Sequence, residues 1–428
     1  MDVQAYLESL MKVTKDPTLE AMEFLLQKLG NPHKKTRFIH IAGTNGKGSV
    51  CEMMNQILIE AGYRTGKFIS PGLLTLNERI MVNNIPIPDS DIEKILVKMD
   101  PFIKEYNNTH KIEVKWFEVI TTIALVYYER QKCDFVVLET GLGGTYDCTN
   151  VVDSEISIIS SIGLDHMHIL GNTIAEIAEN KAGIIKKNSD AIFLNYPENP
   201  EALPVIEKRA KEMNAKLHLV QEDDVKNYSF DENYQYYTYK NYENVAVNLK
   251  GKIQTYNATV CLKAVEILNQ KGDKIEESAI KRALKEVIHR ARFEKLNSNP
   301  EIIYDGAHNP QAIENLIKNI NQYYSNNKKV FVISILTTKD HKSMVNLLAR
   351  EYQDAEFYFT SGSNDPKYVN AKDLEGDIDV DIDSHIENLE TILGTIMKDY
   401  KDAKDTVVFV VGSFYVYGTV LNSIDKNK

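Results

Sequence analysis

Apolar positions fall into two textures along the chain. Short continuous runs, RFIHIAG (Arg37 to Gly43), KFIS from Lys67, DFVVLE (Asp134 to Glu139) and ISIISSIG (Ile156 to Gly163), predict strands buried on both faces. Between them apolar residues recur at helical spacing. Tyr6, Leu7, Leu10 and Met11, then Leu19, Met22, Leu25 and Leu26, predict two short amphipathic helices over residues 3–29. Further helices are expected over Gly48–Ala61, Asp89–Glu105, Trp116–Arg130 and Thr173–Lys187. Strands alternating with helices define an α/β fold around a mostly parallel sheet.

The texture changes twice more. YSFDENYQYYTYKNYENVAV, between Leu219 and Val247, alternates aromatic and polar residues and predicts a small antiparallel element. Helical spacing returns over Asn257–Ile288. A second α/β pattern follows: strands EIIYD (Glu301 to Asp305), KVFVISIL, EFYFT and TVVFVVG (Thr406 to Gly412), with helices PQAIENLIKNI and SMVNLLAREY between them. The polar segment Leu296-Asn-Ser-Asn-Pro300 carries turn residues and is assigned as the linker. Two domains are therefore expected: residues 1–296, a larger α/β domain, and residues 297–428, a smaller one. The cleft between them is the expected ligand site.

Composition narrows the function classes. The 428 residues carry 50 Lys plus Arg against 61 Asp plus Glu, a net charge of −11. An acidic chain is a poor nucleic-acid coat or anionic-membrane binder. The start, MDVQAYLESLMKVTKD, lacks the basic and apolar runs of a signal peptide. The most apolar stretch, VITTIALVYY (Val119 to Tyr128), is about half a membrane span. Cys51, Cys133, Cys148 and Cys261 are widely spaced, with no CxxC pair, as in a reducing compartment. A cytoplasmic protein is expected.

Candidate chemistry gathers at strand ends. Gly43-Thr44-Asn45-Gly46-Lys47-Gly48-Ser49 lies between a strand and a helix, where a glycine loop aims backbone N–H groups and a helix's positive end at phosphate. Lys47 would reach the terminal phosphates and a hydroxyl would ligate Mg²⁺. The spacing departs from G-x-x-x-x-G-K-[ST], and such turns also occur without a ligand. Glu139, opening Leu138-Glu-Thr-Gly-Leu-Gly-Gly144, ends a buried strand, where a carboxylate suits Mg²⁺ on ATP or simply caps a loop. In Gly163-Leu-Asp-His-Met-His168, His166 can face phosphate or metal with Asp165 orienting its ring, while His168 is read as packing or solvent. Asp305 ends EIIYD and can take ribose hydroxyls; His308 follows in the turn, with Pro310 suited to a first helical turn. Arg292 can span toward phosphates or be a plain surface arginine. Asp377-Ile-Asp-Val-Asp-Ile-Asp383 imitates a calcium loop, but Ile382 replaces its glycine and Asn388 its last glutamate, so an exposed acidic stretch is the reading.

Taken together, HIAGTNGKGS, SPGLLTLNERI, LETGLGGTYDCTN, IGLDHMHILGNTIAEIAENKAGIIK, ARFE, YDGAHNP and GSFYVYG occur in the order of one family. From about Leu19 to Tyr417 the chain resembles the folylpolyglutamate synthases, including the bacterial form that also acts as dihydrofolate synthase, among the Mur-ligase-like amide ligases. The resemblance implies ATP-dependent ligation of L-glutamate to a reduced folate or dihydropteroate through an acyl phosphate, by a monomer. It implies Ser49, Glu139 and His166 as metal ligands, with Ser70 near the metal and phosphates. Lys181, which nothing in its spacing singles out, matches a lysine that is often carbamylated. Asn257, Arg292 and Asp305 match positions touching adenine, phosphate or ribose, and His308 matches the motif histidine on the nucleotide and glutamate side.

Three departures stand out: Gly72 replaces His or Phe, Thr145 replaces Arg after GLGG, and Ala291 replaces Gly in PGRFE. The first two leave the preferred folate form open. Two other readings compete with this one. A ligase of peptidoglycan precursors is disfavoured because about 36 residues before the first strand are too few for a UDP-binding domain. A non-catalytic P-loop module would not need Glu139, His166, Lys181 and Asp305 together.

Overall fold

The computed structural model describes residues 3–10, 18–196, 198–362 and 365–427. Met11 of the first expected helix lies outside them. Two compact units emerge: one comprises residues 1–228, 237–246 and 256–287, the other 229–236, 247–255 and 288–428.

The first unit is built on an eight-stranded sheet, ordered β4-β3-β2-β5-β1-β6-β7-β8. Its strands are β1 (Arg37–Ala42), β2 (Thr65–Phe68), β3 (Ile80–Val82), β4 (Ile85–Pro86), β5 (Phe135–Glu139), β6 (Ile156–Ile159), β7 (Asp190–Leu194) and β8 (Lys216–Val220). All pairings from β2 through β8 are parallel, and only the short β3 and β4 run antiparallel. The five residues of β5 are all buried, as a strand covered on both faces requires. VITTIALVYY forms the middle of helix Trp116–Arg130, where Val119 to Tyr128 are all buried. A helix apolar all round belongs inside a domain. With helices Glu20–Lys28 and Asp89–Thr109 it closes one core over Phe38, Val136 and Leu138. A second core joins Ile159 and Phe193 to helices Ile174–Ala182 and Ala202–Glu212.

Register sets the site. Ile41 of β1 pairs with Glu139 of β5, and Ala42 with Ile159 of β6, so three strands end side by side. Because β1 sends its chain toward β2 on one side while β6 lies on the other, this is the switch point where open α/β sheets place ligands.

The tyrosine-rich segment forms an antiparallel sheet, β11 (Tyr242–Val247), β10 (Gln235–Tyr239) and β9 (Lys226–Phe230), as expected. The second unit carries a six-stranded sheet ordered β12-β13-β17-β14-β15-β16. Its strands are β12 (Glu294–Ser298), β13 (Glu301–Asp305), β14 (Lys328–Ile333), β15 (Glu356–Phe359), β16 (Asp383–Ile386) and β17 (Thr406–Val411). The assigned linker is corrected here: residues 296–300 lie in β12 and its turn into β13, an antiparallel pair, so a polar edge hairpin imitated a linker. β16 also escaped the sequence reading, being an edge strand without a buried residue. The helix expected over Thr173–Lys187 ends at Ala182, because Gly183 caps it. The calcium-loop look-alike is spent on ion pairs: Asp377 takes His341 at 2.6 Å and Asp379 pairs with Arg350.

Candidate active site

Each side chain at the switch point is placed by local chemistry. After β1 the chain turns at Gly43 and Gly46 into helix Lys47–Glu60, whose cap, Gly46, supplies no side-chain acceptor. Gly46 has φ +88°, and a Cβ there would stand 2.9 Å from Asn257 Oδ1. A Cβ on Gly43 would stand 1.8 Å from Ser160 Oγ, so only glycine lets the loop lie against the end of β6. Hydrogen bonds fasten it there. The Thr44 N–H donates to the Ser161 carbonyl (2.7 Å), the Thr44 hydroxyl to the Gly163 carbonyl (3.0 Å), and the Ser160 hydroxyl to the Asn45 carbonyl (2.7 Å).

Two lysines converge on one carbonyl. Lys47 Nζ donates to the Gly43 carbonyl at 2.9 Å, and Lys181 Nζ donates to the same oxygen at 2.8 Å. Lys181 is buried; desolvation and then the charge of Lys47 push its pKa well below the usual lysine range. Asp165 opposes that shift. Lys181 occupies the last turn of helix Ile174–Ala182, which a capping box starts: Thr173 accepts the Glu176 N–H while Glu176 accepts the Thr173 N–H.

Glu139 ends β5, 5% exposed, and accepts the Ser70 N–H at 3.3 Å. The Ser70 hydroxyl accepts from Arg79 Nη1 at 3.0 Å, and the Arg79 guanidinium stacks 4.8 Å above the Trp116 ring. Asp165 takes the backbone N–H of His166 at 2.8 Å, while its carboxylate stays 3.8 Å from His166 Nε2. Ser49 and Asn257 are buried on helices Lys47–Glu60 and Ile253–Gln270. Gly43 through Ser49, Lys181 and Asn257 thus form one cluster, and Glu139 and Ser70 a second at the neighbouring strand end.

In the second unit, Asp305 ends β13 and is buried. It accepts the Phe293 N–H at 2.9 Å and the Ala307 N–H at 2.8 Å. Burial raises its pKa, and Arg292 chiefly opposes the rise. The Arg292 guanidinium lies 4.5 Å over the Phe414 ring, and His308 meets the same ring edge-on at 5.4 Å. His308 Nδ1 lies 2.8 Å from the Gly306 carbonyl.

Sequence reading missed Arg79, Ser160, Ser161 and Phe414 as supports. The Ser160, Ser161 and Phe414 contacts and the Arg79 stack on Trp116 join residues distant in the chain, although all four stand inside quoted segments.

A glycine loop with two lysines on one carbonyl stands at the switch point of the first unit's sheet, and the second unit carries a mostly parallel sheet of its own. The Mur ligase middle domain matches residues 41–265, and the Mur ligase glutamate ligase domain matches residues 291–414. The dihydrofolate synthase/folylpolyglutamate synthase of Bacillus subtilis is 35% identical over 97% of this chain and 96% of the relative. Folylpolyglutamate synthase of Thermotoga maritima superposes with TM-score 0.83 at 32% identity, covering 100% of this chain and 97% of that one. Escherichia coli FolC in complex with DHPP and ADP superposes with TM-score 0.85 at 29% identity, covering 99% and 96%. The chain belongs to the dihydrofolate synthase/folylpolyglutamate synthase family, ATP-dependent ligases of glutamate and folates.

Proposed function

We propose that this chain binds ATP on the Gly43–Ser49 loop and joins L-glutamate to a reduced folate, to dihydropteroate, or to both. One observation carries the reading: Lys47 stands on the Gly43 carbonyl at a helix N-terminus, with the Lys181 amine on the same oxygen, in a chain whose net charge is −11. All three substrates are anions, so capture depends on cations concentrated locally.

A carboxylate approaching a triphosphate meets like-charge repulsion, which fixed positive groups offset. Lys47 swings from the loop carbonyl onto the phosphates, and the loop N–H groups hold them at the helix end. The folate carboxylate then attacks the γ-phosphorus, giving an acyl phosphate and ADP; the glutamate amine displaces phosphate from the acyl carbon. Glu139 and Ser70 at one strand end, and Ser49 on the loop helix as the family motifs imply, offer oxygen donors, a chemistry that would suit Mg²⁺ better than a softer metal. Bound there, Mg²⁺ would add charge neutralisation. His166 borders the phosphates as a further ligand or donor. Carbamylation of Lys181, which its depressed pKa favours by exposing a free amine, would supply another carboxylate. Asn257, Arg292 and Asp305 take nucleotide roles and His308 a glutamate-side role, as the family motifs imply. Among the described residues no helix is long and apolar enough to cross a membrane, which is compatible with work in the cytoplasm.

The deciding measurement is phosphate release by purified protein given ATP, Mg²⁺ and glutamate with either dihydropteroate or tetrahydrofolate. Turnover on one, the other or both separates the synthase, polyglutamylation and bifunctional forms. ATP turnover independent of glutamate would sink the ligase reading.

A further inference from the structure

The turn that delivers Lys181 to Gly43 is clamped by residues that none of the proposed roles uses. The Thr145 N–H and hydroxyl both donate to the Asn180 carbonyl at 2.9 Å, and the Gly144 N–H donates to Asn180 Oδ1 at 2.9 Å. Asn150 Nδ2 then bridges two segments, donating to the Thr145 carbonyl (3.0 Å) and the Gly183 carbonyl (3.2 Å). Lys186 Nζ closes the knot on the Asn150 carbonyl at 2.7 Å. Contact is tight throughout: a Cβ on Gly183 would stand 2.1 Å from Thr145 Oγ1, and one on Gly144 would stand 2.7 Å from the Asn180 carbonyl.

Two features separate this knot from ordinary loop closure. Asn150 Oδ1 is buried without a hydrogen-bond partner. An orphaned acceptor is costly and persists where other demands fix the side chain, here the two carbonyls its amide must reach. Lys186 is largely buried, with Asp153, Arg209 and His40 as the charged or titratable groups around it. A simple hydroxyl or amide would close a loop without burying an ammonium.

We propose that Asn150 and Lys186 are positioning residues that hold Lys181 on the Gly43 carbonyl and so set the charge facing the phosphate loop. The proposal rests on the reading of Lys181 as a site residue. The knot grips the helix through the Asn180 and Gly183 carbonyls, flanking Lys181 on both sides. A shift of about 1 Å at a positioned group is enough to cost a large factor in rate.

The test compares Lys181→Met, Lys186→Met, Lys186→Arg and Asn150→Ala in the full chain. Lys186→Met is expected to lower kcat at least tenfold, with KM for glutamate within twofold and the melting temperature nearly unchanged. Lys186→Arg, which keeps a charged donor, is expected to recover kcat to within threefold. Burial lowers the Lys186 pKa to about 8, so its charge is lost above that pH. The alkaline fall of kcat should therefore move upward in Lys186→Arg, a change that a merely structural role would not produce. Should Lys186→Met fail to fold, Asn150→Ala reads the same kcat and KM split. Wild-type kcat in a folded Lys186→Met, with Lys181→Met inactive, overturns the positioning role and leaves the Lys181 reading standing. Full activity in Lys181→Met overturns that reading itself.

Discussion

The molecule contains two strand–turn–helix junctions of similar outline and opposite chemistry. In the first unit β1 runs through Gly43 and Gly46 into helix Lys47–Glu60; in the second, β13 runs through Gly306 and Asn309 into helix Pro310–Tyr323. The second helix is finished by its own side chains: Asn309 accepts the Ala312 N–H at 2.8 Å, and Pro310 at the first turn removes a donor. The first helix has a glycine cap with no side-chain acceptor, which leaves its positive end available for an anion. Charge follows the same division. Two lysines attend the first junction, whereas the second holds a buried carboxylate, Asp305, fixed by backbone N–H groups. A strand–turn–helix is thus a receptor or a rigid platform according to its cap.

The largest break in this contrast is Lys47→Ala. It should reduce glutamate-dependent phosphate release by about three orders of magnitude or more, and Glu139→Ala by about two, the scale of losing a principal electrostatic stabiliser. Retained turnover in Lys47→Ala would remove the first junction from the chemistry, and in Glu139→Ala would remove the neighbouring end of β5 from it. Next comes Gly46→Ala, which forces a side chain into φ +88° and against Asn257. Its expected cost is about 1–2 kcal/mol of stability, with weakened ADP binding by calorimetry.

Lys181→Met tests the charge division through pH. An unfolded lysine keeps its proton to about pH 10.4. Lys181, desolvated beside Lys47, releases its proton well below that. Between those values the unfolded chain binds more protons, so wild-type stability rises with pH. In bicarbonate-free buffer Lys181→Met should be flatter over that window, and more stable than wild type at its acidic end; parallel denaturation curves at each pH would refute this. The smallest effect is expected at the platform. Asn309→Ala should cost about 1 kcal/mol through its lost cap and leave ADP affinity unchanged.

The legibility of these regions in the sequence follows from their range of interaction. β1, β5, β6, β13 and β17 announced themselves as mostly apolar runs, because a strand covered on both faces is apolar along most of its length. Helix Trp116–Arg130 was read to the residue for the same reason. β12 and β16 were lost because edge strands are half polar, and the hairpin at residues 296–300 resembled a linker since turns and linkers share residues.

The motifs likewise disclosed Lys47 and Glu139, whose chemistry lies in their own loops and strand ends. Lys181 had no such signal. Its significance comes from a carbonyl 138 positions away, reached only after β1 and helix Ile174–Ala182 are brought together. The stacks of Arg79 on Trp116 and of Arg292 on Phe414 are products of tertiary proximity in the same way. The sequence by itself determined the parallel sheets, the phosphate-type loop and the family, since these rest on local patterning and short motifs. The tertiary structure alone decided which lysines share an oxygen, which carboxylates are desolvated and which glycines admit no Cβ, because burial and charge at a site are set by chain segments that meet only on folding.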